Sequence, residues 1–171
     1  GPVCSGTSIT FTATPTNGGT TPTYQWYKGS TPLSGETNPT YTSSTLSNGD
    51  VISVKMTSNA SPCLTGSPAT SNSVTMTVNP VLSVGVSIAA SPYGAVCKGT
   101  SVTFTATPTN GGTNPVYQWK VNGVNAGTNS PAFSYVPQDG DVVICHLTST
   151  ESCASGNPAS SNEITMTVGT N

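Results

Sequence analysis

The stretch Ser8-Ile9-Thr10-Phe11-Thr12-Ala13-Thr14 alternates apolar and hydroxyl side chains residue by residue. Successive side chains of an extended chain point to opposite faces. Ile9, Phe11 and Ala13 therefore share one face, and Thr10, Thr12 and Thr14 share the other. This pattern predicts a strand of an antiparallel sheet, buried on one side and wet on the other. Threonine suits such a surface because its β-branch favours the pleated conformation. Pro15 and Asn17-Gly18-Gly19 follow with the residues that end strands in turns.

The same text returns as Ser101-Val102-Thr103-Phe104-Thr105-Ala106-Thr107, with Pro108 and Asn110-Gly111-Gly112 behind it. The repetition runs well beyond the strand. Val3-Cys4 returns as Val96-Cys97, Tyr24-Gln25-Trp26 as Tyr117-Gln118-Trp119, and Gly49-Asp50-Val51 as Gly140-Asp141-Val142. Val74-Thr75-Met76-Thr77-Val78 returns as Ile164-Thr165-Met166-Thr167-Val168. The offset slips from 93 to 91 to 90 positions, each time in turn-rich sequence where deletions are tolerated. A period of about ninety is a whole small domain, too long for a solenoid unit. We read two copies of one module, residues 1–80 and 81–171.

Each copy reads as short alternating strands separated by turns. Tyr24 and Trp26 face one way, with Gln25 and Tyr27 opposite. A short strand is expected around Tyr41, or Phe133 in the second copy. Asn48-Gly49-Asp50 and Asp139-Gly140-Asp141 are tight turns. They lead into Ile52, Val54 and Met56 on one face, matched by Val143, Cys145 and Leu147. Val74, Met76 and Val78, matched by Ile164, Met166 and Val168, form a last strand. Asn122-Gly123 is a favoured two-residue hairpin turn. No helical stripe of useful length occurs. The fold class is all-β, with two tandem antiparallel β-sandwiches. Val81 to Ala89 fits a first strand for the second copy. The first copy has no equivalent, so either its sheet edge is bare or the sequence starts inside that domain with the first strand missing, and its stability is expected to be lower. Val78-Asn79-Pro80 leaves a short, proline-containing linker with limited hinge freedom. Gly1-Pro2 has the form of a protease-cleavage scar, which predicts a piece of a longer protein.

Composition narrows the function classes. Only 6% of the residues are charged, against roughly 25% in ordinary soluble domains. Serine and threonine hydroxyls take over the solvation that charges usually provide. The net charge is −2, with four Lys and Arg in all, so no basic patch exists to hold nucleic acid or anionic lipid. No apolar run approaches the roughly 20 residues of a membrane-spanning helix.

The combined motifs resemble the Ig-like or PKD-like repeats of Bacteroidetes. They are Val-Cys-x-Gly-Thr-Ser followed by the alternating strand, then Tyr-Gln-Trp, then Gly-Asp-Val, then Ser-Asn before Thr-Met-Thr-Val. The resemblance covers both copies. Such repeats occur in very large surface proteins exported by the type IX system and tied to adhesion or gliding motility. It implies an immunoglobulin-like sandwich in which Trp26 and Trp119 are the buried strand-C tryptophans. It also implies an extracellular location and neighbouring repeats of the same protein as partners.

Five cysteines are present. Cys4 matches Cys97 and Cys63 matches Cys153, so the simplest pairing is Cys4–Cys63 and Cys97–Cys153, one staple per domain. Cys145 stands in the slot of Val54 and reads as a buried free thiol. A Cys97–Cys145 pair that leaves Cys153 free is the rival, because connectivity is not fixed by sequence. Asp139 and Asp141 are weak candidates for calcium, being two turn carboxylates where a full oxygen shell needs more. Tyr27 lies on the polar face of its strand and is a candidate platform for a sugar ring, with Tyr93 and Tyr135 behind it. The lone histidine, His146, takes the place of Lys55, and no acid–base pair recurs between copies. We therefore expect no catalysis and no cofactor. The expected role is a monomeric structural spacer of a secreted surface adhesin. The alternative is a carbohydrate-binding module, or an accessory domain beside a polysaccharide-degrading enzyme.

Overall fold

The computed structural model describes residues 1–62 and 64–170, and every regular element among them is a β-strand. The chain divides into two compact units, Gly1–Pro80 and Val81–Asn171.

In unit 1 the longer strands are β1 (Ile9–Thr12), β2 (Thr23–Lys28), β3 (Thr40–Ser43) and β4 (Val51–Thr57). β2 and β4 pair antiparallel, with Trp26 opposite Val54 and Tyr24 opposite Met56. Thr31–Pro32 extends this sheet beyond β2, and Ala69–Thr70 and Val74–Thr75 extend it beyond β4. The second sheet is β1 against β3, with Phe11 opposite Tyr41. Between the sheets lie Tyr24, Trp26, Tyr41, Ile52, Val54 and Met76. The alternation read from Ser8–Thr14 sets this arrangement, because it turns Ile9, Phe11 and Ala13 toward that core. Val3–Cys4 runs parallel to Val78–Asn79 and joins the start of the unit to its end.

Unit 2 repeats the plan with β5 (Gly85–Ser91), β6 (Val102–Thr109), β7 (Val116–Val121), β8 (Ala132–Tyr135) and β9 (Val142–Thr148). β7 and β9 pair as β2 and β4 do, with Trp119 opposite Cys145. The second sheet has three strands, β5, β6 and β8 in that order. β5 pairs with β6 along seven residues, from Gly85 opposite Thr109 to Ser91 opposite Thr103. That pairing carries β6 out to Thr109, whereas its counterpart β1 stops at Thr12.

Repeated motifs have repeated structural jobs. The Trp26 indole N–H donates to the Asn38 carbonyl at 2.9 Å, and that of Trp119 to the Ser130 carbonyl at 2.9 Å. The Gln25 side-chain amide donates to the Trp26 and Leu33 carbonyls, which pins the strand to the turn beside it. Gln118 does the same with Trp119 and Ala126. Asn122 and Gly123 both have positive φ, at 53° and 80°, as the hairpin turn requires. Gly19 has a φ of +82°, and a Cβ there would stand 2.6 Å from the Ala60 backbone nitrogen. Only glycine fits such a place.

The last strand differs from the single run expected. It is broken into Ala69–Thr70, Val74–Thr75 and Val78–Asn79 in unit 1, and into Ala159–Ser160, Ile164–Thr165 and Val168–Gly169 in unit 2. A serine hydroxyl enters the ladder at the first break. Ser71 Oγ accepts the Val54 N–H at 3.0 Å, and Ser161 Oγ accepts that of Cys145 at 2.9 Å. The chain bulges there and re-aims before pairing resumes.

Candidate functional site

The two calcium candidates hold the protein's own donors. Asp141 is 8% exposed. Its carboxylate accepts from the Asn122 side-chain amide at 2.7 Å, the Gln138 N–H at 2.8 Å and the Tyr135 hydroxyl at 3.1 Å. Burial pushes its pKa up, but these hydrogen bonds outweigh burial and hold it below the ordinary carboxylate value. Asp139 accepts the Val168 N–H at 2.9 Å, a role that Asn48 fills for Val78 in unit 1. An amide thus does the work of this carboxylate, which marks the job as structural. No group of three or more metal-ligating side chains occurs among the described residues.

The aromatic candidates separate by environment. Tyr27 is half-buried, and Lys55 Nζ lies 4.9 Å from its ring centroid. One ring face is therefore already covered by a cation. Tyr135 belongs to the core of unit 2, stacked on Phe133 at 5.1 Å and Phe104 at 5.8 Å. Burial and the Asp141 carboxylate push its phenol well above the usual tyrosine range. Tyr93 is 90% exposed and stands at the rim of a shallow pocket with Asn162, Glu163 and Thr165. His146 Nδ1 is 2.9 Å from Ser160 Oγ.

The cysteines correct the sequence reading. Cys4 and Cys153 each take part in a disulfide. Cys97 carries a free, exposed thiol, so neither the Cys97–Cys153 staple nor the Cys97–Cys145 rival is formed. Cys97 lies on the short strand Val96–Cys97, whose outward-turned residue is the cysteine. The proposed partner of Cys4, Cys63, lies outside the described residues. Cys145 is free and fully buried, and desolvation raises its thiol pKa to about 11.

The most distinctive feature is a groove in unit 1. It holds about 500 Å³ and is lined by Phe11, Ala13, Trp26, Val54, Ala69 and Asn72 among others. It lies where β5 lies in unit 2. β5 there covers β6 and packs against β9. Val102 and Phe104 are consequently fully buried, whereas Ile9 and Phe11 of unit 1 are only half-buried. Val74 is 41% exposed, whereas its counterpart Ile164 is half-buried. Asn162 clamps β5 by its backbone. Its Oδ1 accepts the Ile88 N–H at 2.8 Å, and its Nδ2 donates to the Ile88 carbonyl at 3.1 Å. The matching Asn72 lines the groove of unit 1, and its side chain has no partner among the described residues. The sequence showed Ser71-Asn72 and Ser161-Asn162 as a repeated pair but gave no sign of the clamp, whose target is 74 residues away.

No family model and no curated protein matches the chain. Among solved structures, three N-terminal domains of the Highly Immunogenic Outer Capsid protein (Hoc) of bacteriophage RB49 align with a TM-score of 0.36 and 14% identity, over 95% of this chain and 55% of that one. Fibronectin(III)-like modules of Clostridium thermocellum CbhA align with a TM-score of 0.38 and 14% identity, over 99% of this chain and 88% of theirs. The class of the chain, tandem immunoglobulin-like β-sandwiches, follows from its own strand pairing.

Proposed function

We propose that this chain is a non-enzymatic structural repeat of a secreted surface protein, one that holds other domains at a distance and binds chiefly its neighbouring repeats. The observation that carries this reading is the use made of polar side chains. Asp139, Asp141, Asn122, Gln118 and His146 all face partners within their own sandwich, as Asn48, Asp50 and Gln25 do in the first copy. Low charge suits such a stalk, because little of its solvation depends on fields that salt would screen. The disulfide bonding of Cys4 and Cys153 favours an oxidising, extracellular setting. The sequence resemblance supports an origin among the adhesion and gliding proteins of Bacteroidetes.

A sugar-binding module is the second reading, and the exposure of Tyr93 favours it. Testing the 171-residue chain on a broad polysaccharide and glycan panel, beside Tyr27→Ala and Tyr93→Ala, separates the two. We expect no saturable binding. Saturable binding lost in either variant would replace the spacer reading with an adhesin reading.

A further inference from the structure

We propose that Cys97 is an attachment point, joined by a disulfide to the second cysteine of a neighbouring repeat of the same protein. This rests on the reading of the chain as part of a repeat protein, and it gives the link between repeats a chemistry. Unit 1 supplies the template. Cys4, the counterpart of Cys97, takes part in a disulfide, whereas Cys97 is free and exposed. The two stand on the same frame. Val3–Cys4 lies parallel to Val78–Asn79, and Val96–Cys97 lies parallel to Val168–Gly169 in the same register. Beyond the cysteine, the Ser5 N–H donates to the Asn79 carbonyl at 2.8 Å, and the Lys98 N–H to the Gly169 carbonyl at 3.0 Å. The Thr7 N–H then donates to the Cys4 carbonyl at 3.1 Å, and the Thr100 N–H to that of Cys97 at 3.1 Å. Gly6 and Gly99 permit this turn with φ of +84° and +88°. The frame that presents Cys4 to a partner therefore presents Cys97 in the same way.

Unit 2 offers Cys97 no partner of its own. Cys145 is fully buried, and Cys153 already takes part in a disulfide. The template also says which cysteine is wanted. Cys97 and Cys145 are both free. The cysteine bonded to Cys4 therefore stands at the second cysteine position of the repeat, the one shared by Cys63 and Cys153. The same position in another repeat is the matching partner for Cys97. Repeats tethered in one polypeptide meet at a high effective concentration, which a separate copy of the chain lacks.

The bond forms by thiol–disulfide exchange with a low-molecular-weight disulfide such as glutathione disulfide. The Cys97 thiolate attacks one sulfur of that disulfide and expels the other as a thiolate. The thiolate of the neighbouring repeat then attacks the Cys97 sulfur of the mixed disulfide and expels the second small thiolate. Two protein thiols are oxidised, one small disulfide is reduced to two thiols, and the two protons pass to those thiols. Exposure opens the first step to Cys97 and burial closes it to Cys145. The product ties one repeat to the next by a second covalent path, which suits a spacer under load.

The test uses the full chain, lengthened after residue 171 by a second copy of residues 82–171 and kept in a glutathione redox buffer. Native alkylation and peptide mapping report the state of each cysteine. Cys97 is expected to be bonded to the second cysteine of the added repeat. It should then alkylate about 100-fold more slowly than in the 171-residue chain. The cysteine of the added repeat that matches Cys97 should stay free. Exchanging the second cysteine of the added repeat for serine should restore alkylation of Cys97. Tryptophan fluorescence and circular dichroism of that serine variant check that the added repeat folds without the bond. Cys97 alkylated at its full rate in the lengthened chain would overturn the proposal. So would Cys97 held by glutathione alone, or a Cys97-linked dimer of separate chains. Saturable binding on the glycan panel would remove the spacer reading and leave this bond in place, so the two readings fail separately.

Discussion

Two strands of nearly the same sequence, β1 in unit 1 and β6 in unit 2, end in different environments. Ile9, Phe11 and Ala13 are half-buried, whereas Val102, Phe104 and Ala106 lie within 4% of complete burial. The residues are the same or close, and so are the turns that follow. What differs is β5, which pairs with β6 and has no counterpart beside β1 among the described residues. Burial here is conferred by a neighbour and is absent from the strand's own pattern. Hydrophobic stabilisation scales with apolar area removed from water, so the same side chains contribute less in unit 1.

Truncating matched aromatics gives the largest test of that difference. Phe104→Ala should cost about 3–5 kcal/mol, the range for a fully buried phenylalanine. Phe11→Ala should cost about half as much, because its ring already meets solvent. Denaturant unfolding followed by tryptophan fluorescence checks both, with Trp119→Phe leaving Trp26 as the reporter of unit 1 and Trp26→Phe doing the converse. Equal costs would show that β5 adds no burial that matters.

Thiol chemistry sharpens the same contrast. Cys145 is fully buried with its pKa raised to about 11, and the thiolate is the reactive form. At neutral pH its alkylation should be at least ~100-fold slower than that of exposed Cys97, measured by peptide mapping under native conditions. Val54→Cys places a matched thiol in unit 1. That thiol should react faster than Cys145 if the sandwich without a covering strand opens more readily. Equal protection of the two thiols would remove the predicted stability difference.

A smaller effect is expected at the turn before β4 and β9. Asp141→Asn should cost about 2–3 kcal/mol, since it weakens three hydrogen bonds to a buried charge. Asp50→Asn should cost about 1 kcal/mol or less, because its partner Lys28 is exposed. Lys28 and the Ser47 N–H hold the Asp50 pKa below its ordinary value, as hydrogen bonds hold that of Asp141. Depressed carboxylate values fix the sign. Both contributions are complete above the unfolded value of about 3.9 and are lost as pH falls through the lower folded values. Asp141→Asn should therefore flatten the acid titration of stability of unit 2, and Asp50→Asn that of unit 1.

Much of this architecture is legible in the residues. The alternation at Ser8–Thr14, the Tyr-Gln-Trp strand and the Asn122-Gly123 turn are local signals, and local conformation answers to them. The break in the last strand is not local, because it depends on Ser71 Oγ reaching across to Val54. The cover on Tyr27 comes from Lys55, and that meeting depends on strand register. Tyr27 pairs with Ser53, which places Lys55 on the diagonal. Cysteine pairing depends on which way Cys97 faces, and a repeat alignment carries no such information.

The smallest predicted effect discriminates most finely, because it concerns one side chain in two settings. Asn162→Ala removes two hydrogen bonds to the backbone of Ile88 and leaves that N–H and carbonyl to find other partners. A loss of about 1–2 kcal/mol is expected for unit 2. Asn72→Ala removes no side-chain hydrogen bond found among the described residues, and a change within about 0.5 kcal/mol is expected, as for surface substitutions generally. Thermal or denaturant midpoints of the two variants test this directly. If Asn72→Ala proved as costly as Asn162→Ala, Asn72 would be engaged within unit 1. If both were silent, the clamp would be incidental in unit 2 as well, and the hold on β5 would rest on its ladder and on Ile88 alone.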